Sequence, residues 1–461
     1  MNKQLTLFLA WMGCSLVLAG VACGQQETAD TAPGRDTTVH SYLAGRLTVR
    51  ADVDSMQDYR GFEVLVAVDN QGLPDTLGYG VTDSTGAFQL DVTAPTRGIY
   101  ALLISRRGQI LKLGELAVAE GDSAVLDAVF PMGNRRFRIR SPENAAWTAY
   151  QNTKIQHNNG LLALVQSGQY EEAGARERVE QTTMIFWNMR STFPNTMGGE
   201  VAAAEAVIMA AGWNDSVAVA RARDITPQNI NYADVGRAAR QAQARLAGQA
   251  AALQLVHEFQ ERALDDDQRA QLQSELVLAH MDSLQHDEAL VEARALATTY
   301  AGTPWARWAD RAIYELENLL PGMAAPAFAV RTFQGDSLAL DALRGGLVLL
   351  EFYQPQDQVY QREFEVRNAL YAAAGEDSLH IVSISVEPDT LLNEAFLEGR
   401  DAPGFHIFAP DGLENITARR YNVNVLPTRY LIDADGNIIG KYVGGAMATL
   451  QEDILVLLGN S

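Results

Sequence analysis

Residues 41–140 alternate between apolar and polar positions with a period of two, which is the pattern of half-buried β-strands. Alternating or apolar runs fall at 43–49, 62–68, 87–92, 99–104, 113–118 and 124–130. Short turns that contain glycine separate several of these runs. Because alternating side chains bury one face of each strand, the region is predicted to form a small antiparallel β-sandwich domain.

From residue 141 to 320 the period becomes helical, and the composition is rich in Ala, Leu, Gln and Glu. The runs 272–284, 288–300 and 305–320 read as helix, turn, helix, turn, helix, and Ala289, Ala293 and Ala297 share one helix face. The pattern resembles tetratricopeptide-type helical hairpins, which implies a concave peptide-binding surface. The alternative is that these helices only connect and brace the domains at either end.

The last region, 321–461, alternates strand and helix patterns. Leu347–Tyr353 is a continuous apolar run typical of a buried parallel strand, and 361–371 has helical spacing, with a tight loop between them. A strand is predicted at 381–386 and a helix at 390–399, and 430–433 and 438–443 flank a turn at 435–436. This order of elements predicts an α/β domain.

The first residues have the pattern of a targeting segment. Lys3 precedes an apolar run at 5–22, small residues precede Cys23, and a polar stretch follows to residue 40. Gly20-Val21-Ala22-Cys23 resembles the lipidation box of bacterial lipoproteins, which implies a lipid on Cys23, although Gly20 departs from the usual leucine. We therefore expect a signal peptide at 1–22 and a flexible tether at 23–40. Ordinary cleavage after Ala22 is the alternative.

The composition and charge of the chain limit the classes of partner that it can bind. The chain has 461 residues, 47% of them hydrophobic, and a formal net charge of −21. The acidic balance excludes nucleic acid as a partner and excludes electrostatic docking on anionic lipid. The seven histidines are scattered, and no motif joins them to cysteines. We expect no metal and no cofactor.

The strand, loop and helix around residue 357, followed by Leu426-Pro427-Thr428, resemble the active-site frame of the thioredoxin-like superfamily. The resemblance is to periplasm-facing thiol-disulfide oxidoreductases and to peroxidases of the alkyl hydroperoxide reductase type, and it covers 321–461. It implies a cis-proline loop beside the redox helix, with Asp357 and Tyr360 at the two cysteine positions. The candidate binding groove is formed by Tyr353, Asp357, Tyr360, Leu426, Pro427 and Thr428.

The cysteine content separates two function classes. Thiol exchange and peroxide reduction both need a cysteine, and the chain has only Cys14 and Cys23. Asp357 is then interpreted as a helix N-cap. The first class is a redox-inactive scaffold or protein-binding protein of the cell envelope, anchored by lipid at the periplasmic side or the cell surface. The alternative is a thiol-disulfide oxidoreductase or peroxide-reducing enzyme.

Overall fold

The computed structural model describes residues 38–459 apart from 54, 71–72 and 168–171. The predicted signal peptide, nearly all of the predicted tether and the lipidation candidate Cys23 lie outside the described residues. Contacts divide the chain into two compact units, with the division between Ser283 and Leu284. Each unit is described by itself.

Strands fill the first part of the first unit. Their bounds are β1 Val39–Val49, β2 Phe62–Asn70, β3 Leu73–Val81, β4 Ala87–Ala94, β5 Gly98–Arg106, β6 Gln109–Val118, β7 Ser123–Phe130 and β8 Ile139–Arg140. In the described residues they form two four-stranded sheets, ordered β4-β1-β7-β8 and β3-β2-β5-β6. Their inward side chains share one core, including Leu43, Val64 and Leu102, each fully buried. Two sheets that face one core make a sandwich.

Two features of the sandwich differ from the sequence prediction. The pair β1–β7 is parallel, because residue Tyr42 aligns with Ser123 and Val49 with Phe130. Alternation has the same period in parallel and antiparallel strands, so the pattern could not reveal this. Strand β3 was not predicted, since it contains Gly78 and Gly80 in place of apolar residues. A Cβ on Gly78 would lie 2.7 Å from the carbonyl oxygen of Asp91, so glycine permits this close approach of β4.

Helices complete the first unit. Their bounds are α1 Pro142–Gln166, α2 Glu172–Thr192, α3 Met197–Ala210, α4 Asp215–Arg223, α5 Tyr232–Ala247, α6 Gln249–Arg262 and α7 Asp266–Asp282. Small side chains dominate the helix contacts, and Ala204, Ala239 and Ala242 are fully buried in one cluster. Ser141 and Asp265 accept hydrogen bonds from backbone N–H groups in the first turns of α1 and α7, which fixes where those helices begin.

The second unit starts with two helices and continues as an α/β fold. The helices are α8 His286–Thr299, α9 Pro304–Asn318, α10 Gln358–Ala374, α11 Thr390–Leu397, α12 Ile416–Arg420 and α13 Met447–Gly459. The strands are β9 Ala329–Arg331, β10 Ser337–Ala339, β11 Leu347–Tyr353, β12 Leu379–Ser385, β13 Phe405–Phe408, β14 Thr428–Ile432 and β15 Ile438–Val443. Short 3₁₀ turns cover Leu340–Leu343 and Gly412–Glu414.

Strands β13-β12-β11-β14-β15 lie side by side in that order in the described residues. The pairs β11–β12 and β12–β13 are parallel, and β11–β14 and β14–β15 are antiparallel. Strand β11 is central, which explains its continuous apolar run: Leu350 packs in the core on one face of the sheet, and Leu349 packs on the other with Leu370 of α10 and Leu450 of α13. Strand β13 and helix α13 are elements that the sequence pattern did not reveal.

Helices α8 and α9 belong to the same compact unit as this sheet. The Lys441 ammonium lies 2.7 Å from the Glu315 carboxylate, and the Tyr314 hydroxyl donates to the Arg420 carbonyl at 3.0 Å. The predicted boundary at 320 and 321 follows the change in element type, whereas the division by contacts comes earlier. Across the described residues, no helix combines the length and apolar character that crossing a membrane requires.

Candidate functional site

The site is built where the central strand β11 turns into helix α10. The chain leaves the sheet after Tyr353, and Asp357 precedes the first residue of α10. The Asp357 side chain accepts a hydrogen bond from the Tyr360 backbone N–H at 2.9 Å. This confirms the interpretation of Asp357 as a helix N-cap, in which a carboxylate satisfies an otherwise unpaired donor and is favoured by the helix dipole.

Tyr360 is fully buried in the first turn of α10. Its hydroxyl donates to Glu351 Oε1 at 2.9 Å, and its ring stacks on Tyr353 with the centroids 4.1 Å apart. Phe364 and Phe396 complete this aromatic cluster. Burial, followed by the nearby Glu351 charge, raises the pKa of the Tyr360 phenol well above its usual value, so the phenol is held as a neutral donor.

A buried ionic network surrounds Glu351, which is itself fully buried within β11. Its Oε1 accepts hydrogen bonds from Arg367 Nε at 2.6 Å and from Ser383 Oγ at 2.7 Å. Its Oε2 lies 3.4 Å from Arg429 Nε. Burial alone would raise the pKa of Glu351, but the two guanidinium charges outweigh it and the pKa is lowered to about 2. The carboxylate is therefore ionised and paired.

The network follows one row across the sheet. Strand register aligns His406, Ser383, Glu351, Arg429 and Tyr442 on successive strands, from β13 to β15. Side chains in one such row point to the same face, which here is the face that α10 covers. The row thus lies between the aromatic cluster around Tyr360 and the apolar cluster around Leu349.

The proline loop lies at the same end of the sheet as the turn before α10. The Leu426–Pro427 peptide is cis, and Thr428 pairs with Phe352 in the β11–β14 register. The Gly444 backbone N–H donates to the Pro427 carbonyl at 2.8 Å, and the Thr428 hydroxyl donates to the Val425 carbonyl at 2.6 Å. The cis peptide and the shared end of the sheet confirm two details of the sequence prediction.

The six candidate groove residues lie at the same end of the sheet, but at different depths. Tyr353, Tyr360, Pro427 and Thr428 are buried, whereas Asp357 and Leu426 are half-buried. Binding by this groove stays a prediction. Sequence analysis missed Glu351, Arg367, Ser383 and Arg429. One signal was available, because a glutamate inside the apolar run of β11 must find a partner when it is buried.

Exposed apolar side chains occur around this end of the sheet. Val425 is 39% exposed and Val443 42%, and both flank the proline loop. Leu391, at the start of α11, is 71% exposed. The loop that leads to α11 is tied to the turn before α10 by a hydrogen bond of 2.5 Å from Gln356 to Glu387. We call Val425, Val443 and Leu391 the apolar rim.

Sheet order, central strand-to-helix turn and adjacent cis-proline loop together define a thioredoxin-like fold. No protein-family model matches the chain. The thiol-disulfide oxidoreductase ResA of Geobacillus kaustophilus is 31% identical over 133 residues, which is 29% of this chain and 73% of ResA. The ResA of Bacillus cereus is 28% identical over 128 residues, covering 28% of this chain and 72% of that protein.

Among solved structures, a thiol:disulfide interchange protein DsbE from Chlorobium tepidum is 28% identical, with a TM-score of 0.29, and is matched over 31% of this chain and 100% of its own. The thioredoxin domain of a thiol-disulfide oxidoreductase from Bacteroides vulgatus is 19% identical, with a TM-score of 0.27, over 30% of this chain and 99% of its own. Through its C-terminal region the chain belongs to the ResA-type family of thioredoxin-like thiol-disulfide oxidoreductases.

Proposed function

We propose that the chain is an exported, lipid-anchored protein of the cell envelope whose thioredoxin-like domain performs no thiol redox chemistry and acts in protein binding or as a scaffold. The proposal rests on the contacts that the side chains of Asp357 and Tyr360 make. Asp357 caps α10, and Tyr360 is buried and bonded to Glu351. Both side chains thus have stabilising contacts where the family resemblance leads us to expect cysteines.

Chemistry supports the redox-inactive part of the proposal. Disulfide exchange needs a thiolate that attacks and a thiol that leaves, and a carboxylate or a phenol can do neither. The only cysteines of the chain are Cys14 and Cys23. Cys23 is also the residue that we propose carries the lipid, which would remove its thiol from redox chemistry.

The apolar rim supports the binding part of the proposal. Val425 and Val443 lie beside the cis-proline loop, and Leu391 lies at the start of α11, which follows the loop that Glu387 ties to Gln356. Exposed apolar side chains beside a loop favour contact with an apolar segment of another protein. The buried residues beneath, including Tyr353 and Tyr360, would support this surface and would not contact the partner.

Assays of insulin reduction and of hydrogen peroxide consumption, each with a thioredoxin reductase system, test the redox-inactive part. We expect both rates to equal the protein-free background, with a ResA protein as the positive control in the insulin assay. The alternative function, thiol-disulfide oxidoreductase, is favoured by the names of the relatives. Turnover above background that persists in Cys23→Ala would contradict our proposal and support the alternative.

Site-specific photo-cross-linking in intact cells tests the binding part. A benzophenone amino acid at Val425 should give a cross-linked product of one defined mass. The same amino acid at Val456, which is 61% exposed on α13, is the matched control and should give none. Equal cross-linking at the two positions, or none at either, would leave a scaffold role as the function to pursue.

A further inference from the structure

Helices α2 and α4 of the first unit line a pocket of about 210 Å³ that is open to solvent on one side. Val179 and Met184 line it from α2, Val217 from α4, and Trp213 from the turn before α4. The volume is below the roughly 300–1,000 Å³ of pockets for drug-sized ligands, so the pocket suits one group of side-chain size. Its lining is mainly apolar and includes one aromatic ring, which favours an aliphatic or aromatic group.

Arg221 lines the same pocket from α4. Its guanidinium donates to the Thr183 carbonyl at 3.3 Å and lies 5.0 Å from the centre of the Trp187 ring. Within the described part of the chain, no carboxylate is within ion-pair distance of Arg221. Burial, and then the charge of Arg190, lower the pKa of Arg221. A bound anion would offset both effects, because it supplies the missing opposite charge.

The charged side chains near the pocket decide whether it favours an anionic or a cationic ligand. Arg190 is paired with Asp224 at 3.7 Å, so its own charge is partly neutralised. Glu180 also lines the pocket, but it is exposed. Water and salt screen an exposed carboxylate more strongly than a half-buried guanidinium, so Arg221 has the larger effect on a ligand. The pocket therefore favours an anion over a cation.

We propose that this pocket binds an apolar carboxylate of side-chain size, with the carboxylate on Arg221 and the apolar group between Met184 and Trp213. A small free acid and the C-terminal residue of a polypeptide share this chemistry. The site is independent of the thioredoxin-like unit and of its proposed function.

Ligand-detected NMR titrations of the full chain test the proposal with 4-methylpentanoate, 4-methylpentan-1-ol and leucine. The acid should bind saturably and the alcohol at least about tenfold more weakly, because the alcohol lacks the charge-assisted hydrogen bond. Leucine, which adds an ammonium group, should bind no more tightly than the acid. Binding of the alcohol equal to that of the acid, tighter binding of leucine, or no saturable binding would overturn the proposal.

Competition with N-acetyl-glycyl-leucine and with its C-terminal amide distinguishes the two possible sources of the ligand. If the site takes polypeptide ends, the peptide acid should compete with 4-methylpentanoate and the amide should not. If it takes free acids, neither peptide should compete, while 4-methylpentanoate still binds.

Variants on α4 and α2 identify the residue that holds the carboxylate. Arg221→Gln should weaken 4-methylpentanoate at least about tenfold, whereas Arg223→Gln, on the same helix but exposed and paired with Glu258 at 3.4 Å, should leave affinity unchanged. Glu180→Gln should tighten binding of 4-methylpentanoate, because it removes a negative charge from the pocket. This test remains valid even if the Arg221→Gln chain does not fold. Equal losses in the two arginine variants, or weaker binding in Glu180→Gln, would refute the assignment.

Discussion

At the scale of single residues, Tyr360 has a structural role at the end of the sheet where β11 turns into α10. Tyr360 is buried by Phe396, which comes from another helix, and its hydroxyl is satisfied by Glu351 on the strand before it. Burial of this kind depends on tertiary packing.

Tyr360→Phe measures what the hydroxyl of Tyr360 contributes to stability. The variant keeps the ring but leaves Glu351 without one donor, so we expect it to lower the free energy of unfolding by about 1–3 kcal/mol. Tyr360→Ala also empties the aromatic site and should cost about 3–5 kcal/mol. Urea unfolding followed by circular dichroism measures both.

Tyr371→Phe is the control for the hydroxyl. Tyr371 is on the same helix and is half-buried, and removing its hydroxyl should change stability little. If Tyr360→Phe costs no more than Tyr371→Phe, the hydrogen bond from Tyr360 to Glu351 contributes nothing measurable.

Glu351 gives the unfolding equilibrium a defined pH dependence. Its pKa falls from an ordinary 4.5 to about 2 in the folded chain, because Arg367 and Arg429 outweigh the effect of burial. A carboxyl with a depressed folded pKa stabilises the fold above its unfolded pKa, and the stabilisation is lost as pH falls through the folded pKa. The contribution of Glu351 is therefore complete above pH 4.5 and disappears towards pH 2.

Glu351→Gln should test this directly. At pH 7 the variant leaves the buried Arg367 guanidinium without its counter-ion, whereas Arg429 keeps its pair with Glu363 at 2.9 Å. Loss of the buried ion pair should cost about 3–5 kcal/mol. The difference in unfolding free energy between wild type and variant should shrink as pH is lowered from 4.5, because Glu351 then takes up a proton in the unfolded wild type but stays ionised in the folded chain until about pH 2. Urea titrations at several pH values measure it, and a difference that stays constant or grows at low pH would contradict the assignment.

At the scale of elements, the start of α10 depends on Asp357. Asp357→Ala removes the acceptor for the Tyr360 N–H and should lower the unfolding free energy by about 0.5–2 kcal/mol. Asp357→Asn keeps a side-chain oxygen at the cap and should lose less, which makes it the matched control. Equal losses for the two variants in thermal or urea unfolding would mean that the charge of Asp357, and not its hydrogen bond, stabilises the helix.

The elements that the sequence predicted share a strong local signal. Strand β11 is continuously apolar, and α10 has helical spacing and a capping residue. The elements that it missed lack such a signal. Strand β3 carries Pro74 and two glycines, and β13 is only the short run Phe405–Phe408. Pairing direction in the sandwich, the depth at which Tyr360 is buried, and the packing of α8 and α9 in the second unit all depend on contacts distant in sequence, which no local pattern contains.

At the scale of the whole molecule, charge limits how the chain could associate with a membrane. A formal net charge of −21 opposes adsorption to anionic lipid, and within the described residues no helix can cross a bilayer. The proposed lipid on Cys23 would hold the protein at a membrane through burial of acyl chains, at about 0.8 kcal/mol for each buried CH₂ group.

Metabolic labelling with a palmitate analogue tests the anchor. Wild type and Cys14→Ala should be labelled and should remain with the membrane fraction in high salt, because acyl burial does not depend on ionic strength. Cys23→Ala should lose the label and move to the soluble fraction. Cys14→Ala is the matched control, since it removes the other cysteine of the chain. An unlabelled, soluble wild type would reject lipidation, and a Cys23→Ala protein still bound to membranes in high salt would show that another segment or a partner holds it there.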